Sequence, residues 1–63
     1  MNQQERLIVK RIIEQVYKTG EQIVSLTEVS VPVFRNLYHT AKNLEPNLSV
    51  EILEFGKVIR IFH

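Results

Sequence analysis

Few side chains in this sequence are equipped for chemistry, and those few are poorly spaced for it. There are two histidines, His39 and His63, and no cysteine. Neither histidine has a Cys or Asp companion, and the pair lacks the four-residue helical spacing of a zinc site. All seven acids are Glu, whereas calcium loops draw heavily on Asp. A nucleophile at Ser25, Ser30 or Ser49 would need a histidine and an acid inside a sheltered pocket, and a chain of 63 residues offers little shelter. Gly20 and Gly56 form no phosphate loop. The expectation is a protein with no catalytic residue, no metal and no cofactor: one that binds rather than reacts.

One group of polar residues is organised differently. Arg35, Asn36, His39, Thr40, Lys42 and Asn43 follow one another closely, every one can donate a hydrogen bond, and no acid interrupts them. On a helix Arg35, His39 and Lys42 stand at i, i+4 and i+7, with Asn36, Thr40 and Asn43 on the adjacent strip. Arg, Lys and Asn are the side chains that match guanine, phosphate and adenine in the major groove of DNA. A solvated helix face carries polar residues for no other reason than solubility, so the pattern needs a structural context. Bulk charge supplies none: eight Lys/Arg against seven Glu give a net charge of +1, and nucleic-acid binding would have to rest on placement.

The elements that must position this group can be read from periodicity. Val9, Ile12, Ile13, Val16 and Tyr17, with Ile8 beside them, predict a first helix over residues 2–19. Glu5 lies in its first turn, Glu14 and Lys18 form an i,i+4 pair, and Gly20 suits a left-handed cap. Pro32 opens a second helix running to Leu44, capped by Ser30 and ended by Glu45-Pro46. Its apolar stripe is Phe34, Leu37, Ala41 and Leu44, flanked by Val33 and Tyr38. Between the helices, residues 22–26 fit a short strand, and Ser25-Leu26-Thr27-Glu28 fits a capping box opening one helical turn. Both readings stand.

The tail, Ser49 to Phe62, predicts a β-hairpin turning at Phe55-Gly56. A two-residue loop pairs Glu54 with Lys57, Leu53 with Val58, Ile52 with Ile59, Glu51 with Arg60 and Val50 with Ile61. That register sets two pairs of opposite charge across from each other and gathers Val50, Ile52, Ile59 and Ile61 on one face. Leu53, Phe55 and Val58 then form an apolar tip, which calls for a covering segment, a second subunit or another partner.

The chain predicts one α+β domain, residues 1–63: two main helices on a C-terminal antiparallel hairpin, with the Ile23 region as a third strand. Domains of this size are marginally stable, and a lone hairpin more so. A third strand or a homodimer is therefore physically wanted. Charges interrupt every apolar stretch near the N-terminus, and no run approaches the roughly 20 apolar residues of a membrane span. The expectation is a cytoplasmic protein with no membrane partner.

Helix, short strand, donor-rich helix, hairpin: this order resembles the winged-helix DNA-binding family. The resemblance implies that Pro32 to Leu44 is a recognition helix and Ser49 to Phe62 a wing. Arg35, Asn36, His39, Lys42 and Asn43 would then contact double-stranded DNA, with Lys57 reaching a backbone phosphate, in a small dimeric transcription regulator. The sequence departs from the family between Gly20 and Pro32, where eleven residues must hold a strand and the helix before the recognition helix. The alternative is a protein-interaction module, a small inhibitor or adaptor docking through the hairpin edge or the Leu53/Phe55/Val58 tip. Convergence of Arg6, Lys10 and Arg11 with the Arg35/His39/Lys42 face would favour DNA; Glu51 and Glu54 flanking that face would disfavour it.

Overall fold

The computed structural model describes residues 1–63. Helix α1 spans Gln3–Thr19. It starts where Asn2 Oδ1 accepts from the Glu5 amide at 2.8 Å while the Asn2 amide donates to Glu5 Oε1 at 3.1 Å, a reciprocal cap that satisfies two otherwise orphaned donors. It stops at Gly20, whose φ of 94° is the left-handed conformation a glycine adopts without cost. Val9, Ile13 and Val16 form its buried face. Ile8 and Tyr17 lie outside that face and are exposed, and Glu14 and Lys18 make no ion pair, because the ion pairs of the fold both belong to Arg60.

Strand β1, Glu21–Ser25, follows directly. The strand and the turn that compete for this stretch in the sequence are consecutive. After β1 the Glu28 carboxylate reaches back to the Ser25 amide at 3.0 Å, and the Ser25 hydroxyl accepts from the Thr27 amide at 3.1 Å. No second full helix forms here.

Helix α2 spans Val31–His39 and runs on into a π-turn, Thr40–Leu44. Ser30 caps its start, accepting from the Val33 amide at 3.4 Å. At its end the Glu45 amide bonds back to the Thr40 carbonyl, five residues away, at 2.9 Å. That widened turn corrects the expected stripe. An extra residue per turn rotates Leu44 off the line of Phe34, Leu37 and Ala41, leaving it 61% exposed, and Leu48 enters the core instead.

Strands β2, Ser49–Leu53, and β3, Val58–Phe62, pair antiparallel in the expected register, Val50 with Ile61, Glu51 with Arg60, Ile52 with Ile59 and Leu53 with Val58. The reversal is longer than a two-residue loop. Glu54, Phe55 and Gly56 all have positive φ (51°, 55° and 87°), so Glu54 leaves the ladder and the turn closes through the Lys57 amide onto the Glu54 carbonyl at 3.1 Å. Glu54 and Lys57 are therefore turn ends, and their side chains form no ion pair.

The third strand is present. The sheet order is β1-β3-β2, all antiparallel, which leaves β1 and β2 as edges. Both helices contribute to one core with the inner side of the sheet: Val9, Ile13 and Val16 from α1, Val33, Phe34, Leu37 and Ala41 from α2, Val24, Ile59 and Ile61 from the strands. No helix is long and apolar enough to cross a membrane.

Candidate nucleic-acid interface

The polar face of α2 is aimed by what lies beneath it. Val33, Phe34, Leu37 and Ala41 are buried, so the opposite side of the same helix must face solvent. The start of α2 is tied to α1 through Glu5, whose Oε2 accepts from the Ser30 hydroxyl at 2.8 Å while its Oε1 serves Asn2. One carboxylate thus sits at the starts of both helices, where their dipoles favour negative charge. The Asn2 amide first, and the Ser30 hydroxyl second, hold the Glu5 carboxyl below the usual carboxylate range.

On this side the donors are linked at i,i+4, with Arg35, His39, Lys42 and Asn43 exposed and Asn36 and Thr40 half-buried. Lys42 Nζ donates to the Tyr38 hydroxyl at 3.0 Å and lies over its ring, 5.3 Å from the centroid. Asn43 Nδ2 lies 3.1 Å from His39 Nδ1; with Asn43 donating, the neutral imidazole carries its proton on Nε2. The Thr40 hydroxyl donates to Asn36 Oδ1 at 3.2 Å, which leaves the Asn36 amide hydrogens without a bond inside the chain. Arg35 makes no side-chain hydrogen bond and no ion pair, and Lys42 meets no carboxylate. The face is a row of donors held in place with no acid to neutralise it.

This row borders a concavity. Two clefts separate α2 from the hairpin and share Tyr38 and Ile52. The larger, about 580 Å³, has Tyr38, Ala41 and Lys42 on the helix side and residues 49–52 of the edge strand on the other. The smaller, about 250 Å³, is bounded by Phe34, Arg35, Tyr38, Ile52, Gly56 and Ile59. Arg35 and Lys42 therefore flank one groove between helix and hairpin, and Gly56 brings the turn to its end. Ile52 points to the inner side of the sheet as its register requires, yet it remains 56% exposed because the groove lies open above it.

The remaining expected site residues are dispersed. Lys57 is exposed at the foot of the turn and free of any acid. Leu53 and Val58 face each other across the hairpin and are half-buried, with Ser25 of β1 beside Val58. Phe55 alone stands wholly in solvent. The apolar tip thus reduces to one aromatic ring. Among the cations of α1, Arg11 lies with Gln4, Leu7 and Ile8 in a separate depression that shares no residue with the groove. Glu51 borders the groove, its carboxylate 3.6 Å from Arg60 Nη1, so an acid does stand on the hairpin side of the donor face, and by that measure the placement counts against DNA.

Tyr38, which joins both clefts and anchors Lys42, is a site residue that periodicity treats only as a flank of the apolar stripe. The available signal is its spacing, four residues after Phe34 and four before Lys42, which sets it on the border between core and donor face. His39 and His63 are far apart in role: His39 bonds with Asn43, and His63 packs edge-on against Tyr17 with ring centroids 5.3 Å apart. Comparison of the chain with family models, with curated proteins and with solved structures finds no match.

Proposed function

We propose that this chain is a small DNA-binding protein that reads a duplex through the exposed face of α2, with the hairpin lying alongside as a wing. The observation that carries this reading is the acid-free donor row from Arg35 to Asn43, flanking an open groove against the hairpin. Arg35 supplies an unengaged guanidinium for a guanine edge or a phosphate, Asn36 and Asn43 supply amides suited to adenine, and Lys42 and Lys57 supply phosphate contacts. A role in transcription regulation in the cytoplasm belongs to the same proposal. Against the winged-helix pattern, the turn at residues 26–30 stands where a further helix would precede the recognition helix, so α2 would be oriented by α1 and the sheet alone.

The test is a salt-dependent titration against mixed-sequence duplex DNA. Wild-type affinity should fall linearly in log K against log salt, with a slope near 0.9 per phosphate neutralised. Replacing Arg35, His39 and Lys42 together with Ala should preserve the fold, since exposed substitutions usually change stability by less than about 0.5 kcal/mol each. It should also make the slope shallower by about one for each phosphate no longer neutralised. No measurable wild-type affinity at low salt would end this reading. A protein-docking role is favoured by a separate observation, the wholly exposed Phe55, and would then stand in its place.

A further inference from the structure

The hairpin turn carries a residue that its geometry does not favour. Left-handed backbone suits Gly and is tolerated by Asn, yet Glu54 at φ 51° and Phe55 at φ 55° and ψ 35° both hold it ahead of Gly56 at φ 87°. A bulky side chain in the left-handed region is a backbone outlier. Here the ring also gains no burial in return, since Phe55 is fully exposed. Two unfavourable choices at one position point to a partner outside the chain.

A hollow begins at the very next residue, Gly56. The smaller cleft, about 250 Å³, is walled by Phe34, Tyr38, Ile52 and Ile59 and bounded by Arg35 and Gly56. A dry aliphatic cavity of about 150 Å³ already admits benzene, so a phenyl ring has room here. We propose that a second copy of this chain docks on this surface, the two molecules exchanging Phe55 across a two-fold axis so that each ring enters the other's cleft. Knob and hollow meet at consecutive residues, the free ring at Phe55 and the cleft boundary at Gly56, which lets one surface patch serve both roles in a self-complementary two-fold interface.

Charge selects the same occupant. Glu54 precedes the ring and Arg35 lines the hollow, and neither has an ion-pair partner within its own chain. Exchange of the rings carries Glu54 of each copy towards Arg35 of the other, once at each end of the interface. The area sets the strength. Two phenylalanine rings bring about 300–500 Å², and with the walls that receive them the interface stays at the low end of specific ones, below about 1,200 Å². The dimer is therefore weak and reversible. This inference shares Arg35 and the cleft with the DNA reading, so a second copy and a duplex would exclude each other on this face, and self-association is measured without DNA.

Sedimentation equilibrium tests it. The wild-type mass should rise from one chain towards two as concentration increases to about 1 mM. Phe55→Asp should lower the association constant at least about tenfold, as loss of a central aromatic anchor does. Phe55→Asn, which suits the turn, should do so with the circular-dichroism spectrum of the fold intact. Glu54→Arg and Arg35→Glu should each weaken self-association alone, and an equimolar mixture of the two variants should associate again, because the mixed pair opposes Arg to Glu at both ends. A wild type that keeps the mass of one chain throughout, as it would if the tip served DNA or a different protein, overturns the proposal. So does unchanged association of the folded Phe55→Asn variant, or a mixture no better than its components.

Discussion

Arg60 projects from the outer face of the sheet, its guanidinium bonded to Glu21 of one edge strand, 3.6 Å from Glu51 of the other, and 4.1 Å from the centroid of the Phe62 ring. The Glu21 carboxylate first, with Glu51 beside it, raises its pKa further above the arginine range. Arg35, on α2, has no such company. It faces a cleft and meets no carboxylate at all. Both are surface arginines on a chain of nearly balanced charge, and the contrast is in placement. On the outer sheet face charge bridges three strands; on the helix face it is left available to something outside the chain. Composition averages the two regions and hides the difference, which is why a net charge of +1 is a poor guide to binding.

The two regions rest on the same layer, and the largest expected effect comes from removing it. Leu37 is wholly buried under the donor face and packs with Ile59 and Ile61 from the central strand in one core. Leu37→Ala should cost about 2–5 kcal/mol, a large part of the roughly 5–15 kcal/mol available to an ordinary domain. Urea denaturation followed by circular dichroism should show helix and sheet melting in one transition. Separate transitions for helix and sheet signals would mean that the two regions are supported independently.

Phe55 comes next, because it belongs to the open region yet sits in the same hairpin as Arg60. Phe55→Asn should raise the stability of the monomer by about 1 kcal/mol, the cost of holding a residue with a Cβ in the left-handed region being roughly 1–2 kcal/mol. Thermal melts at low protein concentration would measure it. A loss of stability would mean that the ring packs within its own chain and that the tip is part of the closed region.

The fold was legible wherever periodicity and chain reversal agree. Gly20, Pro32 and the alternation around Phe55-Gly56 fix where elements end, and the hairpin register follows from the apolar face and from Glu51 opposite Arg60. What was not legible depends on distant segments. Leu44 has the spacing of a core residue, and only the π-turn, completed by the bond from Glu45 to Thr40, turns it outward. The donor face could be named from the sequence, but the groove beside it needs β2 brought against Tyr38, which no local pattern specifies. Glu21 as the bonded partner of Arg60 was invisible for the same reason: it requires β1 to pair with β3, 39 residues away in sequence.

That hidden partner changes what a charge reversal should do. Read from the hairpin alone, Glu51→Lys should be repaired by adding Arg60→Glu. In the folded chain the new carboxylate at position 60 would face Glu21, so repair should be slight. Glu21→Lys with Arg60→Glu should recover more, because it rebuilds the closer of the two pairs. Melting temperatures of the two double variants, each against its singles, would rank them. Equal recovery in both would mean that Arg60 does not discriminate between the edge strands.

The smallest effect is expected at Glu5, and it marks where the two regions are joined. Its two oxygens serve the start of α1 through Asn2 and the start of α2 through Ser30, so one half-buried carboxylate ties together helices that the core beneath already orients. Its pKa is lowered by folding. A group of this kind contributes stability that is complete above the unfolded carboxylate value and is lost as pH falls through the lowered folded value. Glu5→Gln keeps one acceptor but carries no charge at any pH. The wild type should therefore melt slightly higher than Glu5→Gln near neutrality, and the difference should shrink to nothing in acid, when Glu5 is protonated. Every other carboxylate titrates alike in both proteins, so the difference between the two melting curves isolates this one. A gap that persists unchanged into acid would mean that the shape of the side chain, and not its charge, ties the two helix starts together.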